Sequence, residues 1–231
     1  MARQLSSPTL NGGSDPDRDG QGALFGIDAN RWEILQAAAA AFMENGYAAT
    51  NIDTVASHLG ATKGRIYYYY KTKADLFFGV HEVAMRLNLA EIRPIAAGAG
   101  GPRERLRLMS IAHAHLVMRH LPLQRVSVQG VEMHLSGSTT PEQRALLASL
   151  IGMRDEYERL FLDVLEEGIA AGEFRPCNPK VVVKLLLGAF NWMTVWYRPR
   201  PNETDESRRS IAEEVADFAL QGVDNAGRNS K

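Results

Sequence analysis

Apolar residues recur along this 231-residue chain at intervals of three and four, the helical period, and no run alternates apolar with polar as a strand would. The spacing predicts a first helix over 28–45, with Ile34, Leu35, Ala38, Ala41 and Phe42 as its inner face and Asn45-Gly46 as its stop. Ile52, Val55 and Leu59 then share one face of a short helix that Thr50 can cap. Gly60 supplies a tight turn, and Thr62 can cap a second short helix opening with Lys63, Gly64 and Arg65. A fourth helix is expected from about Lys73 to Glu91, burying Leu76, Val80, Val83 and Leu87. Arg93-Pro94 and Gly98–Pro102 mark a boundary beyond it.

The second half continues the same period. Helices are expected over 103–120, with Leu106, Met109, His113 and Leu116 in register, and over 122–135. Thr140-Pro141-Glu142 is a start signal, a cap followed by proline at the first helical position, for a helix to about Ala171. Asn178-Pro179 repeats it for a helix to about Trp196. Thr204 opens the last helix, with Ile211, Val215, Phe218 and Ala219 on one side. The fold class is therefore all-α. A three-helix unit at 28–75 carries a helix-turn-helix, and a larger helical domain follows at 76–225. Residues 1–27 are expected to be a disordered arm and 226–231 a disordered tail.

The chemistry concentrates in the turn region. Between Gly60 and Lys73 stand four basic residues, Lys63, Arg65, Lys71 and Lys73, and no acidic one, with Tyr67–Tyr70 among them. The planar fork of Arg65 can bond guanine O6 and N7 together. Lys63 and Lys73 are compact charges suited to phosphate oxygens. Gly64 lets a backbone approach DNA closely. Tyrosine hydroxyls bond phosphates and tyrosine rings touch thymine methyls; Tyr67, Tyr68 and Tyr69 are the candidates, because Ile66 and Tyr70 are spaced to pack inward. Spacing alone equally describes a helical hairpin with a solvated basic face.

Three stretches carry a resemblance: IL-x-AAAAAF-x-ENGY-x-xT at Ile34–Thr50, I-x-x-VA-x-x-LG at Ile52–Gly60, and TKGRIYYYY-x-TK-x-DL at Thr62–Leu76. Residues 31–77 are similar to the N-terminal domain of the TetR family of transcriptional regulators. The resemblance implies a three-helix domain that binds double-stranded DNA at a palindromic operator, and a helical C-terminal domain that forms a homodimer and binds a small effector. By position, Thr50, Lys63, Gly64, Arg65, Tyr67, Tyr68, Tyr69 and Lys73 fall where the family touches DNA, and Thr62, the cap, joins them as a candidate. Tyr69 replaces the family's usual histidine and Tyr70 its usual phenylalanine. The second change buries a hydroxyl, which must find a partner or cost roughly 1–3 kcal/mol.

The helix expected at 179–196 is apolar almost all round, so it must be covered on several sides; an antiparallel partner helix would do this, as the family's dimer does, and so would an ordinary central position. Candidate effector contacts on the C-terminal helices are Met109, His113, Leu116, Tyr157, Phe161, Asn191 and Trp192. The segment GAFNWMTVWYRP at 188–199 resembles TetR-type regulators of fatty-acid, sterol and aromatic-acid breakdown, several of which respond to acyl-CoA thioesters. Such a ligand needs an apolar tunnel for its acyl part and basic residues for its phosphates, for which Arg119, Arg125, Arg154, Arg198 and Arg200 are available.

Composition narrows the classes. With 26 basic and 27 acidic residues the net charge is −1, unlike a protein that coats nucleic acid without selectivity. Cys177 is the only cysteine, which excludes an intramolecular disulfide and suits a reducing cytosol. No signal peptide or membrane span is visible: Val181–Trp196 is interrupted by Lys184 and Asn191, so a cytoplasmic protein with no membrane partner is expected. His113 and His115 lie on different helix faces, and His120 and His134 add no metal spacing, so no metal or cofactor is expected. Without HExxH, a nucleophile motif or a phosphate loop, the chain does not read as an enzyme. Two alternatives stay open. One is a regulator of efflux or other genes that answers a hydrophobic small molecule; the other is an effector-independent DNA binder, whose C-terminal core would be filled.

Overall fold

The structure, a computed structural model, describes residues 27–134 and 140–225. The expected arm before Ile27, the tail from 226 and position 135 of the helix predicted at 122–135 lie outside the described residues. Among the described residues ten α-helices follow one another, with no strand longer than a single bridge between Phe174 and Asp224.

Helix α1 (Ala29–Ala49) is capped by Asp28, whose carboxylate accepts from Arg31 N. It buries Ile34, Leu35, Ala38, Ala41 and Phe42 completely. Gly46, at φ 75°, breaks it where Asn45-Gly46 predicted, and one further turn follows. Thr50 does not cap the next helix. It is 1% exposed, and its hydroxyl donates to Ala41 O and Gly46 O on either side of the break. Asn51 caps α2 (Ile52–Leu59) instead, accepting from Thr54 N at 2.9 Å. Gly60 adopts φ 64° and returns its N–H to α2, making the turn into α3 (Lys63–Tyr69).

Helix α4 (Lys73–Ala96) starts in a capping box between Thr72 and Asp75. It runs past its expected end, because Pro94 falls in the last turn, where Ala97 N still reaches Arg93 O. Helix α5 (Pro102–Arg119), α6 (Leu121–His134) and α7 (Pro141–Ala170) follow, and α7 opens in a Thr140–Gln143 capping box. The helix expected at 179–196 divides into α8 (Pro179–Asn191) and α9 (Met193–Trp196). The break lies at Trp192, where Val195 N turns back to Trp192 O and Thr194 Oγ1 to Asn191 O.

Helix α10 (Asp205–Gln221) buries Ala212, Ala216 and Leu220; of the expected face, Ile211, Val215 and Ala219 pack half-buried against the core, and Phe218 does not. Small residues there let it lie close on α5, while Phe218 is 79% exposed.

The core is not divided at the end of the three-helix head. One apolar cluster joins Ile34, Phe42 and Ile66 of the head to Phe77 and Val80 of α4, Leu123 and Val126 of α6, and Leu147 and Leu150 of α7. A second gathers Leu89 and Ile92 from the same α4 with Met109, Phe161, Phe190 and Leu220. Tyr70 anchors the head to α4: it is buried, its hydroxyl accepts from Arg31 Nε at 2.8 Å, and it thereby gains the partner that its buried oxygen requires.

The ring of Tyr70 lies against Gly79. A Cβ at Gly79 would stand 2.7 Å from the ring's Cε1. Gly79→Ala is therefore expected to lose about 1–3 kcal/mol of stability by overpacking, despite alanine's better helix propensity. Urea unfolding checks this, and a midpoint at or above that of the wild type would show that the ring is free to move.

Candidate DNA interface and effector cavity

Helix α3 stands on Ile66, buried under α1 and α4, and turns its other sides outward. Tyr68 is 77% exposed and Tyr67 43%. Thr62 occupies the N-cap position, but its side chain makes no cap bond. Gly64 has room inside the protein: a Cβ there would meet only Thr62 Oγ1, at 3.8 Å. Internal packing therefore gives no reason for a glycine here, whereas close approach by an outside body does.

Each cation around α3 already has an internal partner. Lys63 Nζ lies 2.5 Å from Asp53, and Arg65 bonds Glu33 Oε2 at 2.5 Å and Asn30 Oδ1 at 2.7 Å. These are exposed pairs, each of roughly 0–1 kcal/mol net worth, so phosphate or base can replace the carboxylate at little cost. Tyr69 donates to Asp28 Oδ1 at 3.1 Å. Lys71 donates to Tyr67 O. Lys73 is held more firmly: its ammonium donates to Tyr47 O and Ala48 O and lies 4.4 Å from the Tyr47 ring centroid. It closes the end of α1. The structure thus gathers Lys63, Gly64, Arg65, Tyr67 and Tyr68 on one open surface, with Tyr69 tied at its edge. Thr50 and Lys73 are engaged inward.

Behind α4 lies a cavity of about 320 Å³ between α4, α5, α6, α7 and α8. Of the residues expected to touch an effector, His113, Tyr157 and Asn191 line it. Met109, Leu116 and Phe161 are buried in the core and are not on its wall, and Trp192 is 62% exposed at the break after α8. Spacing missed Asn88, Gln124 and Ser127, buried polar residues on the wall. A signal was present, since each interrupts an otherwise apolar face. Asn88 and Gln124 exchange amide bonds of 3.1 and 2.7 Å, joining α4 to α6. Towards the exposed side stand Arg154, Glu158 and Lys184; Lys184 pairs with Glu158 at 2.7 Å. The wall is thus more polar than a tunnel built for a plain acyl chain.

Two buried histidines flank this region. His113 Nδ1 lies 2.6 Å from the Tyr157 hydroxyl, and burial lowers its pKa to about 4, with the Asn191 side chain tempering the fall. Burial, and then the Arg154 charge, lower His81 to about 4 as well. Among the described residues no group of three potential metal ligands converges, and no helix is long and apolar enough to cross a membrane.

Residues 34–80 match the family described as "Bacterial regulatory proteins, tetR family", and residues 99–223 match "Tetracyclin repressor-like, C-terminal domain". The HTH-type transcriptional repressor KstR2 of Mycobacterium tuberculosis is 28% identical over 203 residues, covering 87% of this chain and 96% of that protein. PfmR, a TetR family regulator of Thermus thermophilus, superposes with a TM-score of 0.69 at 27% identity, covering 83% of this chain and 99% of that one. AibR in complex with isovaleryl coenzyme A and operator DNA has the same fold, with a TM-score of 0.64 at 23% identity, covering 80% and 96%.

Both histidines are neutral in the folded protein and take up protons in the unfolded chain near the ordinary histidine pKa of 6.5. Between about pH 6.5 and pH 4 the unfolded state binds more protons, so stability falls as pH falls and levels off below about 4 as far as these two groups contribute. Urea unfolding from pH 7 to 4.5 should show this loss, with a smaller slope in His81→Leu. An equal slope in that variant would remove His81 from the account.

Proposed function

The chain belongs to the TetR family of bacterial regulatory proteins, and we propose that it represses transcription as a homodimer on a palindromic operator and is released by a small effector in the α4–α8 cavity. Membership makes it a DNA-binding transcriptional regulator and not an enzyme. The observation that supports the fuller reading is a helix-turn-helix whose core is packed with residues of α4 and α6, the helices that also carry Asn88 and Gln124 on the wall of a polar cavity.

On this reading Lys63, Arg65, Tyr67 and Tyr68 meet DNA at the start of α3, with Gly64 at closest approach and Thr62 and Tyr69 beside them. Lys73 and Thr50 hold the head in shape. The dimer forms through α8 and α10, where Leu185 and Phe218 line an apolar groove and stay exposed, with Val181 of α8 exposed as well. Two-fold pairing of reading heads explains a palindromic site, and linking two half-sites raises affinity without new contacts.

For the effector, the likeness to KstR2 and to an AibR that binds isovaleryl coenzyme A supports an acyl-CoA thioester. Arg154 on the exposed side of the cavity offers a charge for its phosphates, and it has no carboxylate partner among the described residues. The cavity also favours a ligand-responsive protein over an effector-independent binder. The effector acts only through its difference in affinity between the DNA-bound and released conformations.

A duplex selected by the protein from a random library should bind tightly by fluorescence anisotropy and be released by one member of an acyl-CoA panel. Retained binding with every thioester would refute that effector class. On the same duplex Gly64→Ala should weaken binding at least tenfold while thermal stability stays equal or rises, since alanine gains roughly 1 kcal/mol of helix propensity. Unchanged affinity would move the DNA surface away from Gly64.

A further inference from the structure

Arg65 stands on the open surface of α3, but α1 holds it. Asn30 and Glu33, three residues apart, lie one above the other on α1. Both take their bond from the same nitrogen: Arg65 Nη2 donates to Asn30 Oδ1 at 2.7 Å and to Glu33 Oε2 at 2.5 Å. Nη2 has two hydrogens, and both are engaged. The choice of nitrogen matters. A guanidinium offers two forks of paired N–H groups, Nε with Nη2 along its side and Nη1 with Nη2 at its end. Both contain Nη2, so neither is open while Glu33 and Asn30 are in place. Guanine O6 and N7 ask for a fork. Arg65 must therefore give up one of its holders before it reads a base.

The two holders are unequal. Glu33 is charged, and a charge-assisted bond is roughly twice as strong as a neutral one. Asn30 is a neutral amide in an exposed position. A guanine edge brings acceptors and no charge, so it displaces the amide and leaves the carboxylate bonded. One Nη2–H is then free, and a fork re-forms on that side. A phosphate competes for the charge instead, and it must take the place of Glu33. The Glu33 side chain is 55% exposed and that of Arg65 32%, so this exchange costs little. It also gains little, and it leaves a carboxylate beside the phosphates. Lys63 likewise pairs with an acid, Asp53, but an ammonium has no fork to aim.

We infer that Glu33 is a specificity-determining residue of the reading head: it stays bonded to Arg65 on the operator, while Asn30 keeps the place that a guanine edge takes. The inference rests on α3 being the DNA surface, with Arg65 at a base. On DNA of any sequence Glu33 removes the advantage of a phosphate contact by Arg65. On the operator it aims the reopened fork.

The test compares two duplexes by fluorescence anisotropy, one selected by the wild type from a random library and one of the same composition with its sequence shuffled. In Glu33→Ala, affinity for the shuffled duplex should rise, and the ratio of the two affinities should fall at least about fivefold. In an Arg65→Ala background the same change should leave the ratio where Arg65→Ala alone sets it. Asn30→Ala should keep the wild-type ratio or raise it. A second measurement needs no variant. Placing 7-deazaguanine, which lacks the N7 acceptor, at each guanine of the selected duplex in turn should weaken wild-type binding at one guanine at least about fivefold. A wild-type ratio in Arg65→Ala, or full affinity for every deaza duplex, would overturn the inference together with the reading beneath it. A ratio that falls in Arg65→Ala but not in Glu33→Ala would overturn the inference alone. So would an equal fall from Glu33→Ala in both backgrounds, or a fall in Asn30→Ala as large as in Glu33→Ala.

Discussion

Helix α4 has no core of its own, and the rest of the molecule is arranged by that constraint. Its first turns bury Leu76, Phe77, Val80 and Val83 among residues of the head. Its later turns bury Leu89 and Ile92 among residues of α5, α7 and α8. Asn88 stands at the change-over, on the cavity wall, bonded to Gln124 of α6. Helix α6 in turn packs Leu123 and Val126 into the head's cluster. A close-packed interior does not deform gradually. On the proposed reading, a body that enters the cavity and displaces Asn88 or Gln124 presses on α4 and α6, which also pack against the head. Such coupling would need no chain of intermediaries, because α4 and α6 contribute both to the wall of the cavity and to the base of the head.

The electrostatics of the head follow a similar economy. The chain is almost neutral, yet four of its 26 basic residues and no acidic one stand between Gly60 and Lys73. Asp53 pairs with exposed Lys63, and Glu33 and Asn30 hold half-buried Arg65. Phosphate can take over these cations with little net loss from pairs so well hydrated. Lys73 differs because two main-chain carbonyls and a ring hold it at once. It acts as a clamp between α4 and the end of α1, and so keeps the head's base rigid.

Local signals carried the head. Gly46 and Gly60 mark the breaks, Asn45-Gly46 and the apolar spacing set the faces, and Ile66 and Tyr70 pack inward as their interval requires. What escaped the sequence depends on partners far along the chain. Nothing near Tyr70 announces Arg31, and nothing near Asn88 announces Gln124, 36 residues away, or near His113 announces Tyr157, 44 residues away. Thr50 and Asn51 are both fair caps, and the carbonyls of Ala41 and Gly46 at the break in α1 draw the Thr50 hydroxyl inward. On α10 the spacing finds Ile211, Val215 and Ala219, which pack on the core, but not the fully buried small residues between them. Close packing on α5 selects Ala212 and Ala216 and leaves Phe218 outside. Met109 and Phe161 share the period of a ligand-facing stripe, but the same period serves solid core, and only the packing of five helices decides which residues meet empty space.

The central claim is that the cavity and the reading head move together, and a side chain can stand in for the ligand to test it. Ser127 is buried on the cavity wall of α6, so Ser127→Phe places a ring where an effector would sit. Anisotropy titrations of the wild type and of this variant, on a duplex selected by the wild type, compare the two directly. The account predicts a loss of operator affinity of at least about tenfold in a variant that keeps its helical content and its dimer. Wild-type affinity in a folded, dimeric variant would contradict it, and would mean that the cavity and the head share helices without sharing a motion.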